Sequence, residues 1–426
     1  VKKLLFYDHG LFLSFARKLS KYFQVFYYTP ALSQAFPNPN NAIIGDGYEE
    51  VTRVKDFWRT MPDMDIFLFA DIYDGGLQEH LRSMGKLVFG AGRGEDFEIL
   101  RWKMKDLMRQ VKLPVGKCDR VIGMHALREY LKEHEDVYVK VSGYRGVAET
   151  FNSKSYDLIE PRLDEIENEL GGLKYCLPFI IEHRIESVIE VGSDGYTIDG
   201  EFPKKTLFGV EIKDCGYIGS FLNTEDLPKQ VNIVNDRLSK LFKEVQYRMF
   251  FSTEIRVAED GTPYLIDMTC RFPSPPNELY QEMYGNLDEI IWEGAQGKMV
   301  SPKPIAKYGV EAIIYSSFAE DHWNTVYFPD EVSQWVKLHN NCKLNGVDHI
   351  IPTTIRMGEI GAVVGIGDTI LEAIQHCREN ASQISGFDVK VKTESLVEGL
   401  EEIKKAEDFG IKFTDKKLPT VEEILA

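Results

Sequence analysis

The stretch 250–276, FFSTEIRVAEDGTPYLIDMTCRFPSPP, constrains this chain more than any other. Two short apolar, β-prone runs, FFSTEIRV and PYLIDMTCRF, flank the turn-forming AEDG, which is the pattern of a β-hairpin. Side chains two apart share a strand face, so Glu254 and Arg256 point together, and Asp267, Thr269 and Arg271 do so on the partner strand. Facing carboxylates repel unless a cation lies between them, and Mg²⁺ takes hard oxygen donors, usually together with substrate phosphates. A Mg²⁺–nucleotide site is one reading. The charged, solvated face of an antiparallel sheet is the other, and the hairpin alone does not separate them.

The 426 residues exceed the size at which one core keeps growing, so two or three domains are expected. Hydrophobic content of 43% and charged content of 27% are those of a soluble globular protein. A net charge of −17 argues against general binding to nucleic acid or to an anionic membrane surface. No apolar run reaches the roughly 18 residues of a membrane span, and VKKLLFYDHG lacks a signal-peptide core, so a cytosolic (cytoplasmic) protein is expected. The six cysteines have no close pairs, which suggests neither a zinc site nor a disulfide framework.

From the N-terminus, apolar strands alternate with amphipathic helices as far as KLVFG, implying a parallel sheet with ligands near the carboxyl ends of its strands. Asp8, His9, Gly10, Asp71 and Asp74 fall at those ends, although Asp after a strand is also a routine helix cap. One helix is expected over 98–111, carrying Lys103 and Lys105. DVYVKVSGYRG reads as a strand that places Lys140 among valines, where a lysine is costly to bury without an anion. FIIEHRIESVIEVGSDGYTIDGEF reads as two strands around an SDG turn, with Glu182 and Glu186 after the apolar run. Lys213 and Asp214 fall in a loop, and 227–246 is one amphipathic helix. Near the C-terminus a strand over 362–364 turns through GIGD into a helix with Thr369 at its start, a pattern that suits an anion site or a simple cap.

In this order the chain resembles the ATP-grasp superfamily, and within it phosphoribosylamine–glycine ligase and its biotin-carboxylase-type relatives, from the first strand to about residue 385. ADIYDGGLQEHLRSMGKLVFG with KMKDLMRQVKLPVG, then DVYVKVSGYRG, FIIEHRIESVIEVGSDG, EIRV…YLIDMTCRF and GAVVGIGDTILEAIQHC carry the likeness. The resemblance implies an α/β and α+β multidomain fold: a Rossmann-like pre-ATP-grasp domain (1–95), an ATP-grasp domain (96–300) with its lid at about 115–182, and a small β-rich C-terminal domain (301–426). It assigns Lys105 and Lys140 to the ATP phosphates, Ser142, Gly143 and Arg145 to the loop over them, and Ile181, Glu182 and Glu186 to the hinge that meets the nucleoside. Glu254 and Asp267 match the Mg²⁺ (or Mn²⁺) ligands, with Thr269 in place of the usual Asn. Arg271, Arg256 and Lys213 are the candidates to meet phosphate or carboxylate.

The activity so implied is an ATP-dependent carboxylate–amine ligase. It would form an acyl-phosphate, join it to an amine, and release ADP and phosphate. Its partners would be a small-molecule carboxylate and amine, with no membrane; a homodimer is compatible. The loop SGYRG is poorer in glycine than the ligase's, and KDCGYIGSF and DHGLFLSF replace its substrate loops, so the substrates need not be phosphoribosylamine and glycine. A carboxylase working through carboxyphosphate and a catalytically silent nucleotide-binding protein stay open.

Overall fold

The computed structural model describes residues 1–30, 43–143, 150–187, 189–353, 357–414 and 418–425, whose strands form four sheets. The first contains β1 (Lys3–Tyr7), β2 (Gln24–Tyr28), β3 (Val51–Arg53), β4 (Ile66–Phe69) and β5 (Leu87–Phe89), all parallel in the order β3-β2-β1-β4-β5. Its central runs, LLFY in β1 and IFLF in β4, are buried throughout, as a parallel sheet covered on both faces requires. The strand order reverses between β1 and β4, and the loops leaving these two strands carry Asp8–Gly10 and Asp71–Asp74.

A separate antiparallel sheet follows: β6 (Cys118–Ile122), β7 (Val137–Val141), β8 (Thr150–Ser153) and β9 (Pro178–His183), in the order β6-β9-β7-β8. Val137, Val139 and Val141 of β7 and Phe179 and Ile181 of β9 close its own core against helices Met124–Glu133 and Tyr156–Leu170. Period-two alternation sends Tyr138, Lys140 and Glu182 to the other face.

The largest sheet is built on β10 (Ile189–Ile198), β11 (Lys205–Ile212), β12 (Gly216–Asn223), β13 (Arg248–Val257), β14 (Pro263–Thr269) and β15 (Tyr308–Tyr315). Beyond β15 come β16 (Asn324–Tyr327), β17 (Val336–Leu338), β18 (Asn341–Leu344), β19 (Val347–Ile350), β20 (Glu359–Gly367), β21 (Ser385–Gly386) and β22 (Lys390–Val391). The large sheet runs β14-β13-β10-β11-β12-β15-β20-β17, so strands from the C-terminal quarter extend it, while β18-β19-β16-β21 form the fourth sheet. Helix Lys229–Glu244 contributes Val231, Val234, Leu238 and Leu241 to the large core.

Three local readings differ from the sequence expectation. SDG is not a turn: Ser193, Asp194 and Gly195 lie inside β10, paired with Thr253, Ser252 and Phe251, and the chain reverses at Asp199 and Gly200. Pairing with β13 along all of β10 outweighs the turn-like composition. The helix expected over 98–111 is two, Asp96–Ile99 and Arg101–Gln110, with Leu100 non-helical between them. β20 continues through GIG to Gly367, where a Cβ would stand 2.7 Å from Glu372 Cβ; Gly365 likewise lets helix Ile370–Ala381 approach closely. Thr369 caps that helix in a reciprocal capping box with Glu372.

Candidate nucleotide and metal site

The β13–β14 hairpin forms as expected. Thr253, Ile255 and Val257 face the core, and Ser252, Glu254 and Arg256 face out. In β14, Ile266 is an extra residue: Glu254 pairs with Asp267 and Ile255 with Leu265, so a bulge brings the two carboxylates into register. The strand ends at Thr269, which leaves Arg271 beyond it; there Nε lies 3.1 Å from Glu98 and 3.6 Å from Asp71.

Three elements meet opposite this hairpin. Lys140 of β7 places Nζ 2.9 Å from the Ile266 carbonyl, 3.3 Å from Asp267 and 3.2 Å from Glu182. Lys105, on helix Arg101–Gln110, reaches the other Glu182 oxygen at 2.6 Å. Burial opposes the Lys140 charge, but Asp267 and Glu182 outweigh it and hold the ammonium above the usual lysine range. Burial likewise opposes the charge on Glu182, and Lys140 and Lys105 still keep its carboxyl low. Lys140 and Glu182 are thus held ionised on the wall of a cleft.

The cleft contains a cavity of about 360 Å³ between the small and large sheets, lined by Tyr138, Lys140, Glu182, Lys213, Glu254 and Arg256 among others. A second cavity of about 210 Å³ lies on the far side of the carboxylate pair, between Glu254, Asp267, Thr269 and Arg271. Glu211 of β11 lines both. Glu254 and Glu211 open onto the cavities, yet the packed walls around them, with Asp267 and Glu190 beside Glu254 and with Glu254 beside Glu211, push the two carboxyls up to about 7 and about 8. Asp267 is the reverse case: burial would raise it, but Lys140 and Arg101 hold it well below the usual carboxylate range.

No family model and no curated protein matches the sequence. Solved structures do. Phosphoribosylamine–glycine ligase of Thermotoga maritima superposes with a TM-score of 0.70 at 17% identity, over 91% of this chain and 98% of that one. A biotin carboxylase–β,γ-ATP complex from Campylobacter jejuni gives 0.62 at 13% identity, over 96% of each chain. The biotin carboxylase domain of Hydrogenobacter thermophilus 2-oxoglutarate carboxylase, solved with MgADP and bicarbonate, gives 0.63 at 14%, over 97% of this chain and 96% of that one. The chain has the ATP-grasp fold.

Within the ATP-grasp cleft, Lys105, Lys140, Glu182, Glu254 and Asp267 come together, with Arg256 and Lys213 on the rim and Thr269 and Arg271 in the second cavity. Arg256 is paired with Glu190 at 3.2 Å. Ser142 and Gly143 close β7, and Gly143 N–H donates to the Ile99 carbonyl at 3.0 Å. Arg145 lies outside the described residues. Two hinge candidates stand apart: the Ile181 side chain is packed into the small-sheet core, which leaves only its backbone near the cleft, and Glu186 is exposed.

Of the residues at the first sheet's strand ends, Asp8 is buried as a structural acceptor for Phe12 N–H and Tyr27 OH. His9 bridges Asp71 at 3.5 Å and Asp74 at 3.2 Å. Sequence reasoning missed Arg101 and Glu211. Arg101 lies one helical turn before Lys105, a same-face spacing that could have singled it out.

The donor set suits Mg²⁺ or Mn²⁺. Glu254 and Asp267 are hard oxygen donors brought into register on one face of the hairpin. Among the described residues no three His, Cys, Asp or Glu side chains converge tightly enough to hold a metal by themselves, so nucleotide phosphates and water would complete the shell.

Proposed function

We propose that the protein is an ATP-dependent ligase that activates a carboxylate as an acyl-phosphate and joins it to an amine. The observation that carries this reading is the Lys105–Glu182–Lys140 array, its charges in salt-bridge contact, facing the Glu254–Asp267 pair across one cleft. Phosphoryl transfer asks the protein mainly for positioning and charge, and this inventory supplies both.

In this reading the lid is the small sheet over about 115–182, between a Rossmann-like unit at 1–95 and a C-terminal unit at 301–426. Lys105 and Lys140 exchange part of their hold on Glu182 for the β- and γ-phosphates. Glu182 then orients both ammonium groups instead of neutralising them, and the hinge backbone after it meets the nucleoside. Glu254 and Asp267, with Thr269, would hold Mg²⁺, which when bound neutralises charge on the transferring phosphoryl group. Arg271, kept in place by Glu98 and Asp71, faces the second cavity, where a substrate carboxylate can take the γ-phosphoryl group as ADP departs. The amine then attacks the acyl carbon, loses a proton and expels phosphate. Lys213 and Arg256 stand at the rim where anionic groups enter.

One observation favours a second reading, nucleotide binding without turnover: Asp267 is already engaged by Arg101 at 2.8 Å. The deciding experiment is ADP release from Mg²⁺-ATP across pools of carboxylates and amines, with wells for phosphoribosylamine plus glycine and for bicarbonate. Release that requires both a carboxylate and an amine is expected. Release with bicarbonate alone would replace ligation by carboxylation, tight ATP binding with no release would support the second reading, and no ATP binding would overturn the site.

A further inference from the structure

An aliphatic amine is an ammonium ion at neutral pH, and it must lose a proton to a nearby base before its nitrogen can attack. β10 pairs with β11 at Asp194 and Leu207, and a third cavity of about 190 Å³ lies between the two strands farther along. Glu190 and Gly192 of β10 line it, with Gly209 and Glu211 of β11 and Glu254 of β13. Glu211 and Glu254 line all three cavities. The cavities differ in charge. Lys140, Lys213 and Arg256 line the first and Arg101 and Arg271 the second, whereas among the described residues no lysine, arginine or histidine lines the third. An ammonium is repelled by the cations that suit phosphate and carboxylate, so the third cavity is where it fits.

The carboxylates around these cavities are engaged, with one exception. Glu254 and Asp267 form the proposed metal pair. Glu98 is held by Arg271, Glu182 by the two lysines, Glu190 by Arg256 and Glu402 by Lys405. Asp194 accepts from Tyr217 and Ser252 at 2.6 Å each. Glu211 has no hydrogen-bond or ion-pair partner among the described residues. Its cross-strand neighbour on β12 is Tyr217, whose ring lies over Gly209, where a Cβ would stand 2.1 Å from it. The missing side chain lets that ring reach Asp194, so the hydroxyl opposite Glu211 is spent elsewhere.

We propose that Glu211 receives the amine substrate as an ammonium ion and accepts its proton, and that the amine is a primary aliphatic one entering through the third cavity. The ammonium gives one proton to the Glu211 carboxylate. The freed electron pair on nitrogen forms the C–N bond, the C–O bond to the phosphoryl group breaks with its electron pair, and the second proton leaves with the phosphate. The inference rests on the ligase reading above.

Methylammonium is the probe. Broadening of its ¹³C signal in NMR by the full chain saturated with Mg²⁺-ADP reads binding without turnover, and Glu211→Gln is expected to bind about tenfold more weakly than wild type. With the carboxylate that supports ADP release, methylamine and hydroxylamine are then compared as acceptors at neutral pH. Glu211→Gln should lose about a hundredfold in amide formation with methylamine yet keep hydroxamate formation, because hydroxylamine is already uncharged. Methylammonium binding equal in the two proteins, or an equal loss with both acceptors, would overturn the role of Glu211 and leave the ligase reading standing. Broadening that Mg²⁺ alone abolishes would assign the ammonium to Glu254 and Asp267 and overturn the proposal, as would no broadening by wild type. Binding that depends on Glu211, with no ADP release in any pool, would support the ammonium site and remove the ligase reading. Should Glu211→Gln fail to fold, Glu211→Ala carries the same expectations.

Discussion

Lys140 shows how much of a site one side chain can report. Within VYVKV an uncompensated ammonium is costly, and the compensation is Glu182, Asp267 and the Ile266 carbonyl. Lys140→Met keeps the length of the side chain and removes its charge. Since a hydrogen bond to a charged group is worth about 1.5–3 kcal/mol, ADP affinity measured by calorimetry should fall roughly tenfold to a hundredfold. An unchanged affinity would take Lys140 out of the nucleotide site. Glu254 and Asp267 were legible in the sequence for a comparable reason, because strand alternation fixes which residues share a face. Arg101 was not. Three basic residues, Arg101, Lys103 and Lys105, crowd the start of a helix whose true first residue depends on the break at Leu100, and only packing reveals that Lys103 turns outward to Asp96. Glu211 was hidden differently: its strand gives no sign that Glu254 lies two strands away on the same sheet.

Helix ends were more readable than helix interiors. Thr369 and Glu372 satisfy each other's backbone donors, so Thr369→Ala should destabilise the protein by about 1 kcal/mol in urea unfolding, with activity preserved; no loss would mean the cap is redundant. Buried polar contacts between distant elements were invisible in the sequence, since His339 and Glu278 are 61 residues apart. Nε2 of His339, just after β17, lies 2.8 Å from Glu278 on helix Asn277–Met283, and both side chains are 1% exposed. Glu359 of β20 and Asp8 after β1 also face the imidazole. Burial opposes the imidazolium, but Glu278 overcomes it and raises the His339 pKa, while His339 overcomes burial at Glu278 and lowers that pKa. The His339 contribution is therefore complete below the ordinary histidine value and lost as pH rises through the raised one. The Glu278 contribution is present above the ordinary carboxylate value and lost as pH falls through the lowered one. His339→Ala removes the cationic partner of buried Glu278, leaving Ser274 Oγ donating to it at 2.9 Å, and should cost about 3–5 kcal/mol in urea unfolding at neutral pH. Its stability should also lack the decline on the alkaline side of neutrality that is expected of wild type. A variant as stable as wild type at pH 7 would make the pair incidental.

At the scale of the whole molecule the decisive fact is that the small antiparallel sheet has its own core while the first and large sheets pack together. The alternation of strands and helices announced the parallel sheet, but the extension of the large sheet by β20 and β17 arises from long-range pairing that short motifs do not encode. Lys140 and Glu182 belong to the small sheet, Glu254 and Asp267 to the large one, and the contacts from Lys140 to Ile266 and Asp267 bridge the cleft. A nucleotide held by both walls ties the two cores together. Saturating Mg²⁺-ADP at about 100 times its dissociation constant should then stabilise the protein by roughly 2.7 kcal/mol. The gain should be uneven. Amide hydrogen exchange in β6–β9 should slow, because opening of the small sheet away from the large one is what the ligand opposes, whereas β1, β2 and β4, buried in the large core, should exchange as before. Slowing spread equally over all sheets would mean that the small sheet does not open as a unit, and no slowing in β7 and β9 would place the nucleotide elsewhere.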